Sequence, residues 1–283
     1  MKILLSGRTG QLGSELQQQL ASLGELVACD RSMMDLSNPQ GLALVVRRHR
    51  PDLIVNAAAY TAVDRAESEP ELAHRVNCEA VGVLAHEARA LGAMLVHYST
   101  DFVFDGAAQR PYRESDPTGP LSVYGSSKLA GEQAISAIGG RHLILRTGWV
   151  YAARGNNFVL TMLRLAREQP QLRVVDDQFG APTWSRDLAA ATLAALRRPE
   201  PLEGLFHVAA AGQASRWTVA CRVLRLAGVK TPVTPVATDQ FAAPARRPQY
   251  SVLDCSRFAQ EAGFRIAEWD ERLAACLRRA GLS

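Results

Sequence analysis

A tyrosine and a lysine stand four residues apart in the segment Tyr124-Gly125-Ser126-Ser127-Lys128. On a helix this spacing places both side chains on one face. A nearby ammonium group favours tyrosinate, so it should lower the pKa of the phenol from its usual value of about 10. The pair therefore predicts a tyrosine that exchanges a proton near neutral pH. An exposed polar helix face is the alternative explanation for the spacing.

A third polar group precedes this pair in the segment Leu95-Val96-His97-Tyr98-Ser99-Thr100. The run is typical of a strand whose carboxyl end carries hydroxyl groups, which is where α/β sheets place their ligands. We expect Thr100 to hydrogen-bond a substrate oxygen and to hold it against Tyr124. Capping of the strand by Ser99 and Thr100 is the alternative. The chain order of a glycine turn, a hydroxyl at a strand end and the tyrosine–lysine pair favours catalysis.

The glycine turn is Gly7-Arg8-Thr9-Gly10-Gln11-Leu12-Gly13, directly after an N-terminal apolar run. Such a turn brings the backbone of a strand–helix junction close to the pyrophosphate of a dinucleotide, which then faces the helix N-terminus. Asp30 closes the next apolar run, where a carboxylate usually meets the adenosine ribose, whereas Arg31 suits a 2′-phosphate. NADPH is slightly favoured over NADH, and acceptance of both stays open.

These residues need a sheet to position them, and apolar runs typical of strands alternate with helical patterns along the chain. The predicted strands are Lys2–Ser6, Glu25–Asp30, Asp52–Ala58, Met94–Thr100, Leu143–Val150, Arg173–Asp176 and Leu205–Val208, and the predicted helices include Gln40–Arg50, Glu71–Leu91 and Tyr124–Ile138. The pattern predicts an α/β fold with a doubly wound, Rossmann-like parallel sheet. Residues 1–147, with contributions from about 172–210, should bind NAD(P), and 148–171 with 211–283 should form a smaller substrate-binding lobe.

Composition excludes several other classes of protein. The chain has 283 residues, 47% of them hydrophobic and 21% charged, as is usual for a globular protein. Five scattered cysteines predict neither a disulfide framework nor a metal site and fit a reducing compartment. A net charge of +4 without a long basic run argues against a nucleic-acid partner. We find no signal peptide or membrane span, and we expect a cytoplasmic protein.

The ordered set of motifs resembles the extended short-chain dehydrogenase/reductase superfamily and, within it, the dTDP-4-dehydrorhamnose reductases. The similar segments cover almost the whole chain: GRTGQLG (7–13), DLIVNAAAYTAVDRAE (52–67), HYSTDFVFDG (97–106), PLSVYGSSKLAGE (120–132), LRTGWVY (145–151), GNNF (155–158), DDQFGAPT (176–183) and PARRP (244–248). The resemblance implies hydride transfer from NADPH or NADH to C4 of dTDP-4-dehydro-6-deoxy-L-mannose, giving dTDP-L-rhamnose for cell-surface polysaccharide.

The resemblance also implies roles for individual residues. Tyr124 would donate the proton, Lys128 would tune it and anchor the ribose, and Thr100 would orient the carbonyl, while Asn77 would support the lysine through a water. The implied cofactor-binding residues are Gly7, Thr9, Gly10, Gln11, Leu12, Gly13, Asp30, Arg31, Asp35, Leu36, Ala57, Ala58, Ala59, Asn77, Tyr124 and Lys128. The implied substrate-binding residues are Thr61, Val63, Thr100, Phe102, Trp149, Asn156, Phe158, Gln178, Arg246 and Arg247.

One feature separates this chain from related families, and one position departs from the pattern of the reductases. Related dehydratases carry Thr-Asp-Glu with the glutamate as base, whereas this chain has Thr100-Asp101-Phe102. An epimerase of the same superfamily and a catalytically idle cofactor-binding subunit stay open as alternatives. Some reductases bridge two subunits through magnesium held by glutamates. Glu15 matches one such position, but Arg186 stands where the second glutamate is expected, so we expect no metal and no metal-bridged dimer.

Overall fold

The computed structural model describes residues 1–282 and contains twelve strands in that range. They are β1 (Lys2–Ser6), β2 (Glu25–Cys29), β3 (Leu53–Asn56), β4 (Met94–Thr100), β5 (His142–Thr147), β6 (Val150–Tyr151), β7 (Leu172–Val175), β8 (Phe179–Gly180), β9 (Thr183–Trp184), β10 (Gly204–His207), β11 (Ala214–Ser215) and β12 (Val233–Val236). The α-helices are α1 (Gln11–Leu20), α2 (Pro39–His49), α3 (Val63–Ala66), α4 (Pro70–His74), α5 (Ala80–Leu91), α6 (Val123–Ile138), α7 (Phe158–Glu168), α8 (Ser185–Leu196), α9 (Arg216–Leu226), α10 (Ser256–Ala262) and α11 (Trp269–Arg279).

Six strands form one parallel sheet in the order β2-β1-β3-β4-β5-β10. The chain moves outward from β1 in both directions, so a topological switch point lies between β1 and β3. Ligands of such sheets bind in the crevice beyond the carboxyl ends of the strands at this point. The predicted α/β fold with a Rossmann-like parallel sheet is confirmed.

Helices cover both faces of the sheet because each central strand is apolar on both sides. Ile3 and Leu5 of β1 belong to a core shared with α1 and α8, which pack together. Leu4, between them, belongs to the opposite core under α2 and α5. This alternation along one strand places the sheet between two helical layers.

Three sequence predictions need correction. The segment around Arg173–Asp176 does not extend the main sheet, because β7 pairs in parallel with β12 in a separate two-stranded sheet. The helix predicted over Glu71–Leu91 is divided into α4 and α5 by a π-helical turn, Arg75–Glu79. The fifth strand ends at Thr147, and the chain bends before β6.

The strands outside the main sheet form small two-stranded sheets. β6 pairs with β9, and β8 pairs with β11, while α9 packs against β7, β12 and α7. The boundaries predicted for a substrate-binding lobe stay a prediction. Within residues 1–282, we find no helix that combines the length and the apolarity required to cross a bilayer.

Candidate active site

A cavity of about 1000 Å³ follows the carboxyl edge of the sheet from β1 to β5. Most residues predicted for the site line it: Gly7, Thr9, Gly10, Gln11, Leu12, Arg31, Asp35, Leu36, Ala57, Ala58, Ala59, Thr61, Val63, Thr100, Phe102, Tyr124, Lys128, Trp149, Asn156 and Phe158. Six others lie outside the lining: Gly13, Asp30, Asn77, Gln178, Arg246 and Arg247. The glycine turn and the tyrosine–lysine pair therefore share one cleft.

The glycine turn has the shape that a bound pyrophosphate requires. Gly7 has a φ of +75°, and a Cβ there would lie 2.9 Å from the Ala58 nitrogen. A Cβ on Gly13 would lie 2.0 Å from the Gly7 oxygen, so Gly13 serves the close packing of α1 on the turn. Gly10 is the N-cap of α1, whose first residues bring their amide groups to the cavity wall. A dinucleotide phosphate fits this helix end.

The side chains of Asp30 and Arg31 have different surroundings. The Asp30 carboxylate accepts hydrogen bonds from Arg8 Nη2 at 2.5 Å and from Ser32 Oγ at 2.6 Å, and these two partners lower its pKa. Arg31 faces the cavity with 80% of its side chain exposed, and its nearest carboxylate is that of Asp35 at 3.5 Å. The Arg31 guanidinium therefore stands at the cleft with one long ion pair to Asp35, whereas the Asp30 carboxylate predicted for the ribose is engaged by Arg8 and Ser32.

Tyr124 and Lys128 lie on the first turns of α6, which begins after Ser122, the N-cap, whose Oγ accepts from the Gly125 nitrogen. Lys128 is buried, and its Nζ donates to the Tyr98 carbonyl oxygen at 2.6 Å and lies 3.2 Å from His97 Nε2. Burial lowers the lysine pKa to about 8. The helical spacing thus brings both residues to the cleft, but the amine of Lys128 turns toward β4.

The predicted lowering of the tyrosine pKa is wrong for this structure. Loss of water around the phenol raises the pKa of Tyr124 to about 12, and only the neighbouring Thr100 side chain acts in the opposite direction. Spacing on a helix identifies which residues share a face, but burial of the phenol and the direction of the Lys128 amine decide the sign. Phe102 packs edge-on against the Tyr124 ring, with centroids 5.9 Å apart.

Thr100 lies where β4 ends, and its hydroxyl is held by the next residue. Its Oγ1 donates to Asp101 Oδ1 at 3.1 Å and accepts from the Phe102 nitrogen at 3.2 Å. Ser251, from the C-terminal part of the chain, donates to Asp101 Oδ2 at 2.5 Å. Burial raises the Asp101 pKa to about 6. The threonine is therefore both a cap, as one interpretation predicted, and a polar group of the cavity.

Trp149 forms another part of the cavity wall and is held in a strained backbone conformation, with φ of +49°. A Cβ on Gly180 would lie 2.4 Å from Trp149 Cε2, so glycine is required where β8 passes the indole. Asn157 caps α7 beside it by accepting from the Leu160 nitrogen, and its amide group donates to Gln11 Oε1 at 2.9 Å. The wall and the glycine turn are thereby connected.

Arg216 is a site residue that the sequence did not reveal. It begins α9 after the N-cap Ser215, lines the cavity, and places its guanidinium carbon 3.5 Å from the Trp149 ring centroid. Phe158 lies on the same guanidinium at 5.3 Å. Desolvation lowers the pKa of Arg216 to about 10, which leaves it charged at neutral pH. No motif distinguished this arginine from the many others in the sequence.

Three of the predicted site residues have other partners, and a fourth is exposed. Asn77 accepts from the Tyr60 nitrogen at 2.9 Å and donates to Ser127 Oγ at 3.0 Å, so its amide is engaged away from Lys128. Gln178 donates to Thr238 Oγ1 at 3.0 Å. The remaining two are Arg247, which pairs with Asp64 at 2.6 Å, and Arg246, which is exposed.

Glu15 and Arg186, the two positions compared above with a bridging-metal site, form an ion pair. Arg186 Nη1 lies 3.7 Å from Glu15 Oε2, linking α8 to α1. An arginine so placed neutralises the carboxylate that a cation would need.

Comparison with known proteins gives one consistent result. The family model described as "RmlD substrate binding domain" matches residues 1–281. The chain is 47% identical to a dTDP-4-dehydrorhamnose reductase of Escherichia coli K12, over 95% of this chain and 94% of that one. It is 44% identical to the Burkholderia thailandensis enzyme of the same name, over 98% of each chain. The crystal structure of dTDP-4-dehydrorhamnose reductase from Bacillus anthracis in complex with NADP has a TM-score of 0.94 and 35% identity, covering 98% of this chain and 99% of that one.

Proposed function

The chain belongs to the RmlD substrate-binding-domain family, and from this we propose that it is the NADPH-dependent reductase of dTDP-4-dehydrorhamnose. The reaction reduces the C4 keto group of the 6-deoxy sugar and yields dTDP-L-rhamnose for cell-surface polysaccharide. The observation that carries the proposal is one continuous cavity with a glycine turn at one end and Thr100, Tyr124 and Lys128 at the other. The relatives of this chain bear the name of that activity.

NADPH fits the glycine-turn end of the cavity. Gly7, Gly10 and the first turn of α1 would hold the pyrophosphate, and Ala57 and Ala58 would contact the adenosine. Arg31 is the cation available for the 2′-phosphate, and the B. anthracis structure holds NADP. When bound, the cofactor supplies the hydride.

The residues at the other end move the proton. Tyr124 is the acid, since a pKa of about 12 keeps the phenol protonated until an oxyanion develops on the substrate. Thr100 orients the keto oxygen from the end of β4. Lys128, whose amine is charged below about pH 8, returns a proton to the tyrosine oxygen. Water is limited because Thr100 and Lys128 are both buried.

The sugar nucleotide would lie against the wall formed by Trp149 and Phe158. Thr61, Val63, Phe102 and Asn156 also line this part of the cavity. Arg216 adds a cation to the wall and suits the pyrophosphate of the substrate. Arg247 supports the site indirectly, because its ion pair with Asp64 connects the segment around residue 247 to α3.

We also propose a cytoplasmic enzyme, since all five cysteines are free thiols, as reducing compartments favour. Glu15 is engaged by Arg186, so any homodimer would assemble without a metal bridge at this position.

The experiment is to follow NADPH oxidation, and separately NADH oxidation, with enzymatically prepared dTDP-4-dehydrorhamnose, and to identify the product by mass and NMR. We expect dTDP-L-rhamnose, and we expect Tyr124→Phe to lower kcat by about 10² or more. Interconversion of epimers without net cofactor oxidation would identify an epimerase. Cofactor binding without any turnover would identify an idle subunit, and either result would overturn the proposal.

A further inference from the structure

Four buried side chains form a continuous hydrogen-bonded row from the centre of the sheet to the catalytic lysine. Ser6 Oγ donates to Asn56 Oδ1 at 2.6 Å, Asn56 Nδ2 lies 3.2 Å from His97 Nδ1, and His97 Nε2 lies 3.2 Å from Lys128 Nζ. The members stand on β1, β3, β4 and α6, and each is at most 2% exposed. Ser6, Asn56 and His97 are therefore shielded from bulk water, and they can hold a fixed direction of donors toward Lys128 at the cavity.

One backbone group determines which atom donates in each hydrogen bond of this row. The Ala58 nitrogen donates to Asn56 Oδ1 at 3.3 Å, and a backbone N–H can only donate. The facing amide atom is therefore the oxygen, and the amide nitrogen of Asn56 must donate to His97 Nδ1. A neutral imidazole carries one proton, which then lies on Nε2 and points at Lys128. Burial and the Lys128 charge hold the His97 pKa well below its ordinary value, so the ring is neutral.

The proton on His97 Nε2 requires an acceptor, and an ammonium group has none. The neutral amine of Lys128 satisfies the arrangement fully, because its lone pair accepts from His97 while one of its N–H groups donates to the Tyr98 carbonyl oxygen. A protonated Lys128 instead has three donors and is repelled from Nε2–H toward the cleft and Tyr124. The row thus distinguishes between the two protonation states of the lysine.

We propose that His97, oriented by Asn56, is a positioning residue that stabilises the neutral amine left when Lys128 gives a proton to Tyr124. The proposal rests on the proposed reductase function. Tyr124 loses its proton to the substrate oxygen, Lys128 passes one proton to the tyrosine oxygen, and the amine then accepts the hydrogen bond from His97. The lysine regains a proton from solvent through the cleft after the product leaves.

The other groups around Lys128 leave this role to His97. Glu132 lies one turn further along α6 and its charge raises the lysine pKa, but burial outweighs it. The Glu132 carboxylate is engaged by Arg146 at 2.7 Å and by the Ser99 hydroxyl. Tyr124 lies one turn earlier on α6, and from β4 the amine meets only the Tyr98 carbonyl and His97 among the described residues.

The first test reads the histidine tautomer without any substrate. The full chain, labelled with ¹⁵N in its histidine rings, is examined by long-range ¹H–¹⁵N NMR, and the His97 signals are assigned by their loss in His97→Asn. We expect a proton on Nε2, an unprotonated Nδ1 and no imidazolium from about pH 6 to 9. A proton on Nδ1, or a charged ring, would overturn the proposal. This result is independent of whether the chain reduces the sugar.

The second test uses two variants of His97 with amide side chains, each of which can keep one of the two hydrogen bonds of the imidazole. His97→Gln can still donate toward Lys128, whereas His97→Asn can accept from Asn56 but is too short to reach the amine. We expect kcat to fall about tenfold more in His97→Asn than in His97→Gln, with little change in the KM for NADPH. The basic limb of the pH profile should move to higher pH only in His97→Asn, because the neutral amine of Lys128 has lost the hydrogen-bond donor that stabilised it.

Equal losses in the two variants with superimposable pH profiles would mean that His97 only packs, and would contradict the proposal. His142→Asn is the matched control, because His142 lies half-buried at the start of β5, outside the cavity, and its replacement should leave both kcat and the pH profile unchanged. If one of the two His97 variants fails to fold, as measured by thermal unfolding, the other still assigns the His97 signals, and the tautomer measurement on the wild-type chain decides the question.

Discussion

Arg216 lies flat on Trp149, with its guanidinium carbon 3.5 Å from the ring centroid. Both partners are fixed: the indole by its positive φ and by Gly180, and the arginine by its position at the start of α9. A cation over an indole face is attracted by the ring quadrupole, more strongly when it is desolvated. The stack therefore holds a positive charge in one place at the wall of the cleft.

Replacing Arg216 should weaken binding of the sugar nucleotide more than it slows the chemical step. We expect Arg216→Ala to raise the KM for the dTDP-sugar about tenfold or more, or about 1.4 kcal/mol of binding free energy. Arg216→Lys should recover only part of this, because an ammonium does not stack as a planar group. Steady-state kinetics with varied sugar nucleotide measures both. Arg257→Ala, which removes a similar stack on Phe206 outside the cavity, is the control.

Arg31 should decide between the two nicotinamide cofactors. Its side chain is 80% exposed at the cavity, whereas Asp30 is engaged by Arg8. We expect Arg31→Ala to raise the KM for NADPH about tenfold and to leave the KM for NADH nearly unchanged, since only NADPH carries the 2′-phosphate. Arg48→Ala removes an exposed arginine of α2 and should change neither constant. Equal effects on the two cofactors would show that Arg31 does not contact the phosphate.

The buried ion pair between Glu132 and Arg146 should dominate the stability of the region behind Lys128. Both side chains are at most 5% exposed, and the carboxylate also accepts from Ser99. Glu132→Gln leaves a buried guanidinium without its counter-charge, which typically costs about 3–5 kcal/mol. We expect the unfolding temperature to fall by roughly 6–15 °C in calorimetry. Glu168→Gln, which breaks the exposed pair with Arg164 on α7, should leave it close to wild type.

Local patterns in the sequence predict much of this fold, because the relevant signals are short. The apolar run Lys2–Ser6 and the glycines that follow it identify β1 and its turn, and the spacing of Tyr124 and Lys128 identifies one face of α6. These features depend on residues within a few positions of one another. The carboxyl edge of a parallel sheet then brings them together without further information.

Features that depend on distant partners were not predictable in the same way. The pairing of β7 with β12 joins residues about sixty positions apart, and Arg216 meets Trp149 across a similar distance. The sign of the Tyr124 pKa shift depends on burial by the whole fold and on the Lys128 amine facing β4. Sequence spacing contains no information on either, so it placed Tyr124 and Lys128 on one face of α6 but gave the wrong direction for the pKa shift of the tyrosine.

The last prediction concerns the pH dependence of the reaction. Burial lowers the pKa of Lys128 to about 8, and the charged amine is present below that pH and lost as pH rises through it. Because the charged form supplies the proton to Tyr124, we expect kcat/KM for NADPH, which reports the free enzyme, to decline above about pH 8.

Tyr124 titrates near 12 and His97 stays neutral, so neither accounts for a decline in activity in this pH range. Glu132 faces the lysine as a carboxylate already paired with Arg146. In Lys128→Arg the guanidinium keeps its charge but gives up no proton, so Tyr124 recovers its proton from solvent alone; we expect strongly reduced activity without that limb. An unchanged limb in this variant would assign the titration to another group.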